Sequence, residues 1–417
     1  MADLIVELYG TRVGRLVGRH WRTFDFVADR DAFTRFQLGS TVMSESTPLE
    51  AAPSRRRAAR RRNFFAELLP EGDMLEALAA QAEKGTSSQD TIALLARFGR
   101  DVAGALQIFD PELPGEPRTP QAAPISREDV GYLLRHVLHT PLGNRRVFGK
   151  SSLSGVQDKI VLARIGDQWN QVLDGYPSTH IIKPVPRENA TGIFDEEYGA
   201  RVAKAAGLAP FDTRLEEFGA VTGLVIERYD RDPDAPDGRL HQEDLGQALG
   251  IPREAKYQEH GGQAILVRAA QMFSSRGDTA SLVRLLKMTT VSVAVGNLDM
   301  HAKNISLLHL PDESMRIAPA YDVVPQVHQN NDGRLAMAVN HQYDHRHITL
   351  NDLVAEGALW GVPDAQALVE GALESVLSFA RSNSPDDRAY PGLQGDIVRF
   401  STNLIEGRAA AEDVRVS

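Results

Sequence analysis

Three side chains in the second half of the sequence carry oxygen atoms at a spacing that could act on a phosphate group. Asp299 and Asn304 lie five residues apart in GNLDMHAKN, and Asp322 follows eighteen residues later in PAYDVVP. A carboxylate can accept the proton of an attacking hydroxyl. Amide and carboxylate oxygens are the ligands that Mg²⁺ prefers. We therefore interpret Asp299 as a candidate base, and Asn304 and Asp322 as candidate metal ligands.

The spacing of Asp299 and Asn304 is that of the catalytic loop of protein kinases. In those enzymes a later aspartate bridges Mg²⁺ to the phosphates and is usually followed by Phe-Gly, whereas Val-Val follows Asp322 here. The alternative is structural, with Asp299 as a helix cap and Asp322 as a turn residue. Because a D-x-x-x-x-N pattern is common, it indicates phosphoryl transfer only together with upstream partners.

Two upstream residues complete an order of groups typical of kinases. Lys183 ends the apolar segment THIIKPV, from which a lysine can reach the α- and β-phosphates of ATP. Glu196, thirteen residues later, begins an amphipathic helix and could pair with Lys183, although Glu197 is an adjacent competitor. Each also has an ordinary explanation, as a lysine that reaches solvent and a glutamate favoured by the helix dipole. The order Lys, Glu, Asp, Asn, Asp is more specific than any of its members.

The segment GKSSLSGVQDK is the candidate phosphate-binding loop, because the sequence contains neither a G-x-G-x-x-G motif nor a Walker A motif. Gly155 would let backbone N–H groups approach phosphate oxygens. Ser151, Ser152 and Ser154 make the loop itself a candidate phosphate acceptor. Most serine-rich motifs of this kind are plain turns, which is the alternative interpretation.

The elements that must position these residues change character along the chain. From about residue 150 to 230, the runs KIVLARIG, THIIKPV and GLVIERYD predict strands, with one helix over EEYGARVAKAAGL. From about residue 240 onward, apolar residues at helical spacing dominate. Glu227 to Tyr229 join the two parts and could hold adenine, with an edge strand and a surface salt bridge as the alternative. The sequence therefore predicts a strand-rich lobe and a helical lobe with polar motifs at their junction.

The first 110 residues predict a separate small α+β unit. LIVELYGTRVGRLVG turns at Gly10 as a β-hairpin would, helical segments follow with a break at Pro70, and GALQIF is a closing strand. Five prolines in the segment 111–124 predict an extended linker, and Ser126 with Asp129 resembles a capping box. The predicted division is an N-terminal unit (1–110), a proline-rich linker (111–124), a strand-rich lobe (125–230) and a helical lobe (231–417).

The composition excludes several classes of protein. The 417 residues contain no cysteine, which excludes disulfides and thiolate metal sites, and no segment has the ~20 apolar residues that span a bilayer. Asp3 and Glu7 lie where a signal peptide would be basic and then apolar, so we expect a cytoplasmic protein. A net charge of −10 argues against a general nucleic-acid binder. The arginine run over residues 55–62 is the exception, and it could meet phosphates or an acidic partner, or form a solvated helix start.

Six motifs occur in the order found in the HipA-type toxin kinases, which this sequence resembles: SLSGVQDK, THIIKPV, VIERYDR, HQEDLGQALG, GNLDMHAKN and PAYDVVP. FFAELLPEGD and LLARFGRDVAGALQI also resemble the first subdomain of that family, so the resemblance spans roughly residues 4–380. It implies an α+β, two-lobed protein-kinase-like fold, distantly similar to that of phosphoinositide kinases, with a small N-terminal α+β subdomain.

The resemblance also implies a role for each matching residue, with ATP and Mg²⁺ as cofactors. Asp299 would be the catalytic base, and His301 and Lys303 beside it could neutralise charge on the transferring phosphoryl group. Ser152 falls where family members autophosphorylate, but Ser154 creates an S-x-S arrangement, so either serine could be modified. The other implied residues are the metal ligands Asn304 and Asp322 and the ATP-binding residues Ser154, Gly155, Val156, Lys183, Glu196, Glu227 and Tyr229.

The partners implied by the resemblance are a protein substrate and an antitoxin. Aminoacyl-tRNA synthetases are the best-known targets in the family. A separate HipB-like helix-turn-helix antitoxin would bind the operator DNA. The arginine run over residues 55–62 could contribute to the contact with DNA or with the partner in that complex. Two other functions stay open: a catalytically idle module that acts as corepressor with an antitoxin, and a small-molecule phosphotransferase. Lys183, Asp299, Asn304 and Asp322 are all present. This argues against the idle module, because inactive kinases usually lose one of these residues.

Overall fold

The computed structural model describes residues 3–18, 20–82, 85–113, 115–116, 118–144, 149–155, 157–252, 255–261 and 265–412. Within these ranges the chain forms a four-stranded sheet, a six-stranded sheet and two smaller sheets, with most of the helices in the second half. No helix of these ranges is both long and apolar enough to cross a membrane.

The N-terminal unit packs helices on one antiparallel sheet and has its own apolar core. Its elements are β1 (Leu4–Leu8), β2 (Thr11–Val17), β3 (Asp25–Ala28), α1 (Arg30–Phe36), α2 (Ala58–Ala66), α3 (Gly72–Gln81), α4 (Thr91–Phe98) and β4 (Gln107–Phe109). The predicted hairpin is confirmed, since β1 pairs with β2 through a turn at Gly10, whose φ of +70° favours glycine. The helical break predicted at Pro70 falls between α2 and α3. The sheet order is β3-β2-β1-β4.

The strand-rich lobe is built on six antiparallel strands in the order β5-β7-β6-β8-β10-β9. Its elements are β5 (Gln121–Pro124), α5 (Arg127–Arg135), β6 (Ile160–Ile165), β7 (Gln168–Leu173), β8 (His180–Pro184), α6 (Gly192–Ala205), β9 (Thr213–Phe218) and β10 (Val221–Glu227). The capping box of Ser126 and Asp129 is confirmed at the start of α5. The last four residues of the predicted linker form the edge strand β5, and the division of the chain into four segments stays a prediction.

The helical lobe surrounds one long buried helix. Its elements are β11 (His241–Asp244), α7 (Leu245–Leu249), α8 (Gln258–Gly261), α9 (Ile265–Ser275), α10 (Thr279–Val295), β12 (Ser306–His309), β13 (Met315–Ile317), β14 (Arg334–Val339), β15 (Gln342–Asp344), α11 (Leu350–Leu359), α12 (Ala365–Ser382) and α13 (Leu393–Ile405). The second half of α10 is buried on all sides, and the hydroxyls of its buried Thr289 and Thr290 donate to carbonyls one turn earlier in the helix. Because α10 ends at Val295 and Gly296 follows it in the left-handed conformation, the loop that carries Asp299 starts directly from this buried helix.

Buried ion pairs connect the N-terminal unit to the segment that follows β10. Asp101 accepts a hydrogen bond from Nη2 of Arg231 at 2.9 Å. Arg228 and Asp230 form an ion pair at 2.8 Å, and the Asp230 carboxylate also accepts from the backbone N–H of Gly104 at 2.7 Å. Burial alone would raise the pKa of Asp230, but the two arginines outweigh it and lower the pKa. The segment between the two lobes is therefore held by the N-terminal unit.

A second contact of the N-terminal unit is the hydrogen bond between Met43 and His241 of the helical lobe, and we expect acidification to weaken it. This ring is fully buried, and its Nε2 donates to the carbonyl oxygen of Met43 at 2.7 Å. Burial and the neighbouring His309 lower the pKa of His241 from 6.5 to about 3. Because the pKa is lower in the folded state, the unfolded protein binds a proton more readily than the folded protein does. The contribution of the neutral ring to stability is therefore complete above about pH 6.5 and is lost as the pH falls toward 3. By pH 5 the loss should reach about 2 kcal/mol.

Thermal unfolding at pH 7 and pH 5 would test this expectation. The unfolding midpoint should fall further between these pH values in the parent protein than in His241→Gln, because glutamine does not titrate. The same substitution at the exposed His347 is the control and should keep the pH dependence of the parent. An equal fall in the parent and in His241→Gln would show that His241 does not carry the effect.

Candidate active site

A cavity of about 590 Å³, which we call the central cavity, lies between the strand-rich lobe and the helical lobe, and residues of the N-terminal unit also line it. It collects residues that the sequence keeps far apart. The residues singled out from the sequence that line it are Ser154, Gly155, Lys183, Glu196, Glu227, Tyr229, Asp299, His301, Lys303, Asn304 and Asp322. Val156 lies outside the described residues.

Lys183 joins the two lobes through its ammonium group. Its Nζ on β8 lies 2.7 Å from Oε1 of Glu196 on α6 and 2.7 Å from Oδ1 of Asp322 in the helical lobe. Glu197 instead lies 3.5 Å from Arg201, one helical turn along α6. Since consecutive residues of a helix point in different directions, only one of the two glutamates can face the lysine. The structure selects Glu196.

The two carboxyl groups beside Lys183 differ in how readily they ionise. Burial would lower the pKa of Lys183, but Asp322 and Glu196 outweigh it and raise the pKa above its ordinary value. Burial raises the pKa of Glu196 to about 7 despite the nearby lysine. Burial also acts to raise the pKa of Asp322, but Lys183 outweighs it and the pKa falls to about 2. Asp322, whose side chain is 35% exposed against 4% for Glu196, therefore keeps the full negative charge that a metal cation would need.

The loop after α10 presents Asp299 to the central cavity. Its backbone N–H donates to Oδ1 of Asn297 at 3.1 Å, and its carbonyl accepts from Nδ2 of Asn304 at 2.8 Å. The phenol of Tyr257 donates to Oδ1 of Asp299 at 2.9 Å. These bonds fix the loop and orient the carboxylate. Because the nitrogen of the Asn304 amide is used inside the loop, its oxygen is the atom that can serve as a metal ligand.

His301 and Lys303 flank Asp299 in the sequence but have different surroundings. His301 is buried, its ring packs against Tyr257 with centroids 5.2 Å apart, and burial lowers its pKa, so the ring is neutral near pH 7. Nζ of Lys303 forms ion pairs with Glu67 and, at 3.1 Å, with Glu71 of the N-terminal unit. The charge of Lys303 is thus compensated by two carboxylates. A role for either residue at a phosphoryl group stays a prediction.

Residues 67–71 of the N-terminal unit connect the phosphate loop, residues 151–155, to the Asp299 loop. The carbonyl of Leu68 accepts from Oγ of Ser152 at 3.0 Å, and the backbone N–H of Glu71 donates to the carbonyl of Gly155 at 3.1 Å. The carboxylate of Glu71 also lies 3.4 Å from Nζ of Lys256. Together with the Lys303 ion pairs, these contacts make the N-terminal unit a wall of the site.

The phosphate loop is anchored at its beginning and more open at its end. The side chain of Ser152 is fully buried, and its backbone N–H donates to the carbonyl of Asp101 at 2.9 Å. Ser154 is only half-buried and lines the central cavity. At Gly155, with φ of +114°, a Cβ would lie 2.5 Å from Nζ of Lys159. Glycine is therefore favoured there by its conformation, whereas the end of the Lys159 side chain could move to admit a Cβ.

The side chains of Lys159 and Tyr257 are among those of the site that the sequence interpretation missed. Nζ of Lys159 donates to the carbonyl of Ser154 at 2.8 Å, and burial together with Lys183 lowers its pKa to about 8. Lys159 ends the motif SLSGVQDK, so its basic type beside a candidate phosphate loop was a usable signal. Tyr257 belongs to no motif, and no local pattern indicates that it reaches Asp299.

Glu227 and Tyr229 lie at the junction of the lobes with different exposures. The carboxylate of Glu227 is exposed and accepts from the backbone N–H of Asp212 at 3.1 Å. The ring of Tyr229 stacks on Tyr321 with centroids 5.5 Å apart, and its phenol donates to Oε1 of Gln242. Both line the central cavity, so peptide groups and an aromatic ring are present where a planar base could bind.

The sequence matches two family profiles. Residues 4–109 match the HipA N-terminal domain, and residues 151–380 match the HipA-like C-terminal domain. The chain is 34% identical over 361 residues to "Putative kinase Y4mE" of Sinorhizobium fredii, covering 82% of each chain. It is 28% identical over 351 residues to "Serine/threonine-protein kinase toxin HipA" of Shewanella oneidensis, covering 80% of this chain and 79% of that one.

The fold is similar to that of a solved HipA. The match is to the Shewanella oneidensis toxin–antitoxin complex of HipA, HipB and operator DNA, with a TM-score of 0.73 at 24% identity. It covers 97% of this chain and 96% of that chain. The two-lobed, kinase-like α+β fold with an N-terminal subdomain, which the sequence resemblance implied, is confirmed.

Proposed function

The chain belongs to the HipA family, and on that premise we propose that it is an ATP- and Mg²⁺-dependent serine/threonine protein kinase. The observation that carries the proposal is the contact of Lys183 with Glu196 and Asp322 in the cavity that Asp299 and Asn304 also line. Such an arrangement can hold a triphosphate and deprotonate a hydroxyl at the same place. Positioning and charge stabilisation of this kind are what phosphoryl transfer requires.

In the proposed reaction, the hydroxyl oxygen of a serine or threonine bonds to the γ-phosphorus of ATP, and Asp299 takes the proton of that hydroxyl. The bond from the γ-phosphorus to the β,γ-bridging oxygen breaks, and ADP leaves with the electron pair. Lys183 holds phosphate oxygens, and Glu196 keeps the lysine in place. The hydrogen bond from Tyr257 orients Asp299, which supports its assignment as the base.

Asn304 and Asp322 fit Mg²⁺ as its two protein ligands. Mg²⁺ prefers oxygen donors, and it commonly takes one or two side chains and completes its octahedron with phosphate oxygens and water. Among the described residues there is no cluster of three or more His, Cys, Asp or Glu side chains that could hold a metal. When bound, Mg²⁺ would neutralise charge on the β- and γ-phosphates.

The rest of the nucleotide would be bound by the two segments that the sequence singled out. Ser154 and Gly155, with Val156 beyond the described residues, would offer backbone N–H groups to the phosphates. Glu227 and Tyr229 would contact adenine through peptide groups and the aromatic face. The position of Lys159 against the carbonyl of Ser154 supports a phosphate site here, since it adds a cation to the loop.

Self-phosphorylation on the phosphate loop would inhibit the enzyme. A phosphate on Ser152 or Ser154 adds about two negative charges. The Ser152 side chain is buried against the carbonyl of Leu68, so a phosphate there cannot be accommodated without displacing the loop. Ser154 faces the cavity, where a phosphate would compete with those of ATP.

The proposed partners are a protein substrate, with an aminoacyl-tRNA synthetase as the first candidate, and a HipB-like antitoxin that would bring the complex to DNA. A toxin–antitoxin role and a cytoplasmic location are part of the same proposal.

The arginine run over residues 55–62 contains both buried and exposed side chains. Arg61 is buried and paired with Asp25 at 2.5 Å, whereas Arg55, Arg56 and Arg60 are exposed. Only the exposed arginines could reach a phosphate or an acidic partner.

Incubation of the full chain with γ-labelled ATP and Mg²⁺ tests the proposal. We expect label on the chain at Ser152 or Ser154, label on a protein in added cell lysate, and loss of both with EDTA. The double variant Ser152→Ala/Ser154→Ala should lose the self-label. Label on small molecules alone would indicate a small-molecule phosphotransferase, and no transfer at all would indicate a catalytically idle module.

A further inference from the structure

A second groove, of about 300 Å³, opens beside Asp299 on the helical lobe. Tyr257, Asp299, Gln326 and Gln329 line both this groove and the central cavity. The two spaces therefore meet at the candidate base. An acceptor hydroxyl must reach Asp299 from a side that the nucleotide does not fill, and this groove is such a side.

The walls of the groove are bonded directly to the Asp299 loop. The backbone N–H of Ala336, on β14, donates to the carbonyl of Leu298 at 2.8 Å. The backbone N–H of Gln326 donates to the carbonyl of Gly296, also at 2.8 Å. A molecule held by these walls would thus be held at a fixed position relative to Asp299, which is the geometric requirement for an acceptor.

The polar groups of the groove match those of a polypeptide backbone. The side-chain amides of Gln326, Gln329 and Asn330 make no hydrogen bond to any of the described residues. Each amide offers a donor and an acceptor, the same pair that a peptide group offers. Leu335 and Leu298 supply a buried apolar floor. An extended segment with several peptide groups could use all of these contacts, whereas a small hydroxyl compound would leave most of them unused.

The charge of the groove favours a cationic segment. Arg334 is held by both carboxylate oxygens of Glu259, at 2.9 and 3.1 Å, so these two charges cancel. Asp332, which is exposed at the rim, and Asp299 remain. Counted over the described lining residues, the groove is negative. A lysine or arginine near the acceptor would be attracted, and an acidic neighbour would be repelled.

We propose that this groove binds the acceptor segment of the substrate, an extended polypeptide with a serine or threonine at Asp299 and a lysine or arginine close to it in sequence. The inference rests on the proposed kinase function and adds the class of substrate to it. It assigns recognition of the neighbouring cation to Asp332, whose exposed carboxylate accepts a hydrogen bond from the backbone N–H of Arg334 at 3.0 Å, while the guanidinium of that arginine is bound by Glu259.

Two synthetic serine peptides of equal length test the inference, one with arginine and one with glutamate on both sides of the serine. The full chain should phosphorylate the arginine peptide with about tenfold higher kcat/KM, as expected for one partly exposed charge contact that changes from attractive to repulsive. Self-labelling is measured in the same reactions. If the chain labels itself but treats both peptides alike, the inference is wrong while the kinase proposal stands.

Charge reversal locates the effect. Asp332→Lys should reverse the preference toward the glutamate peptide. Asp167→Lys makes the same change of charge at a fully exposed aspartate in the turn between β6 and β7, and it should keep the preference of the parent. An arginine preference that survives in Asp332→Lys would remove Asp332 and this groove from recognition. If neither the peptides nor the chain is labelled, the proposed function fails, and the inference fails with it.

Discussion

Asp299→Asn is expected to lower the rate of phosphate transfer by about 10²- to 10⁴-fold, the usual contribution of a general base. Asparagine keeps the size of the side chain, and its oxygen can still accept the hydrogen bond from Tyr257 that is 2.9 Å long in the parent. The variant therefore removes proton acceptance and little else. Initial rates of transfer from labelled ATP to the chain and to a protein substrate give the measurement.

Asp312→Asn is the matched control for this substitution. Asp312 lies in the exposed turn between β12 and β13 and accepts hydrogen bonds from Ser314. It is close to Asp299 in sequence but does not line the central cavity. The control should transfer phosphate at the rate of the parent. If Asp299→Asn did so as well, the assignment of the base would be wrong.

The second large effect is expected at Lys183, where Lys183→Met should abolish ATP-dependent transfer and also destabilise the protein. Removal of the ammonium leaves the buried Glu196 and the carboxylate of Asp322 without the cation that lies 2.7 Å from each. Loss of one partner of a buried ion pair costs about 3–5 kcal/mol, and protonation of Glu196, whose pKa burial has already raised to about 7, should offset part of this cost. The unfolding midpoint and the affinity for ATP with Mg²⁺ should both fall.

The double variant Lys183→Met/Glu196→Gln separates the two roles of the lysine. Glutamine cannot ionise, so it removes the cost of keeping a buried carboxyl without its cation, and part of the lost stability should return. Activity should stay lost, because no cation replaces Lys183 at the phosphates. A double variant with restored transfer would show that Lys183 only stabilises the fold. A single variant with the stability of the parent would show that the ion pair contributes little.

The N-terminal unit has a more direct part in the site than the sequence indicated. FFAELLPEGD carries Glu67 and Glu71 and was interpreted only as part of a separate first subdomain. In the structure both glutamates pair with Lys303, and the backbone of Glu71 bonds to Gly155. The same five-residue segment therefore touches the phosphate loop and the Asp299 loop. A change in the packing of the N-terminal unit would therefore alter the contacts of both the phosphate loop and the Asp299 loop.

Much of the fold was determined by local patterns. The hairpin at Gly10, the capping box at Ser126 and the alternation of strands and helices depend on contacts within a few residues, and each has a recognisable sequence signal. The Asp299 and Asn304 pair is of the same kind, because a hydrogen bond within one short loop joins the two residues. Local spacing also narrowed the partner of Lys183 to two adjacent glutamates.

The tertiary structure alone decided what these residues face. It selected Glu196 over Glu197, buried Ser152 against Leu68 at a separation of 84 positions, and paired Lys303 with Glu67 across 236 positions. Tyr257 reached Asp299 in the same way. The physical reason is that such contacts depend on how whole lobes pack, and packing is set by the combined burial of many apolar side chains rather than by the spacing of any few polar ones.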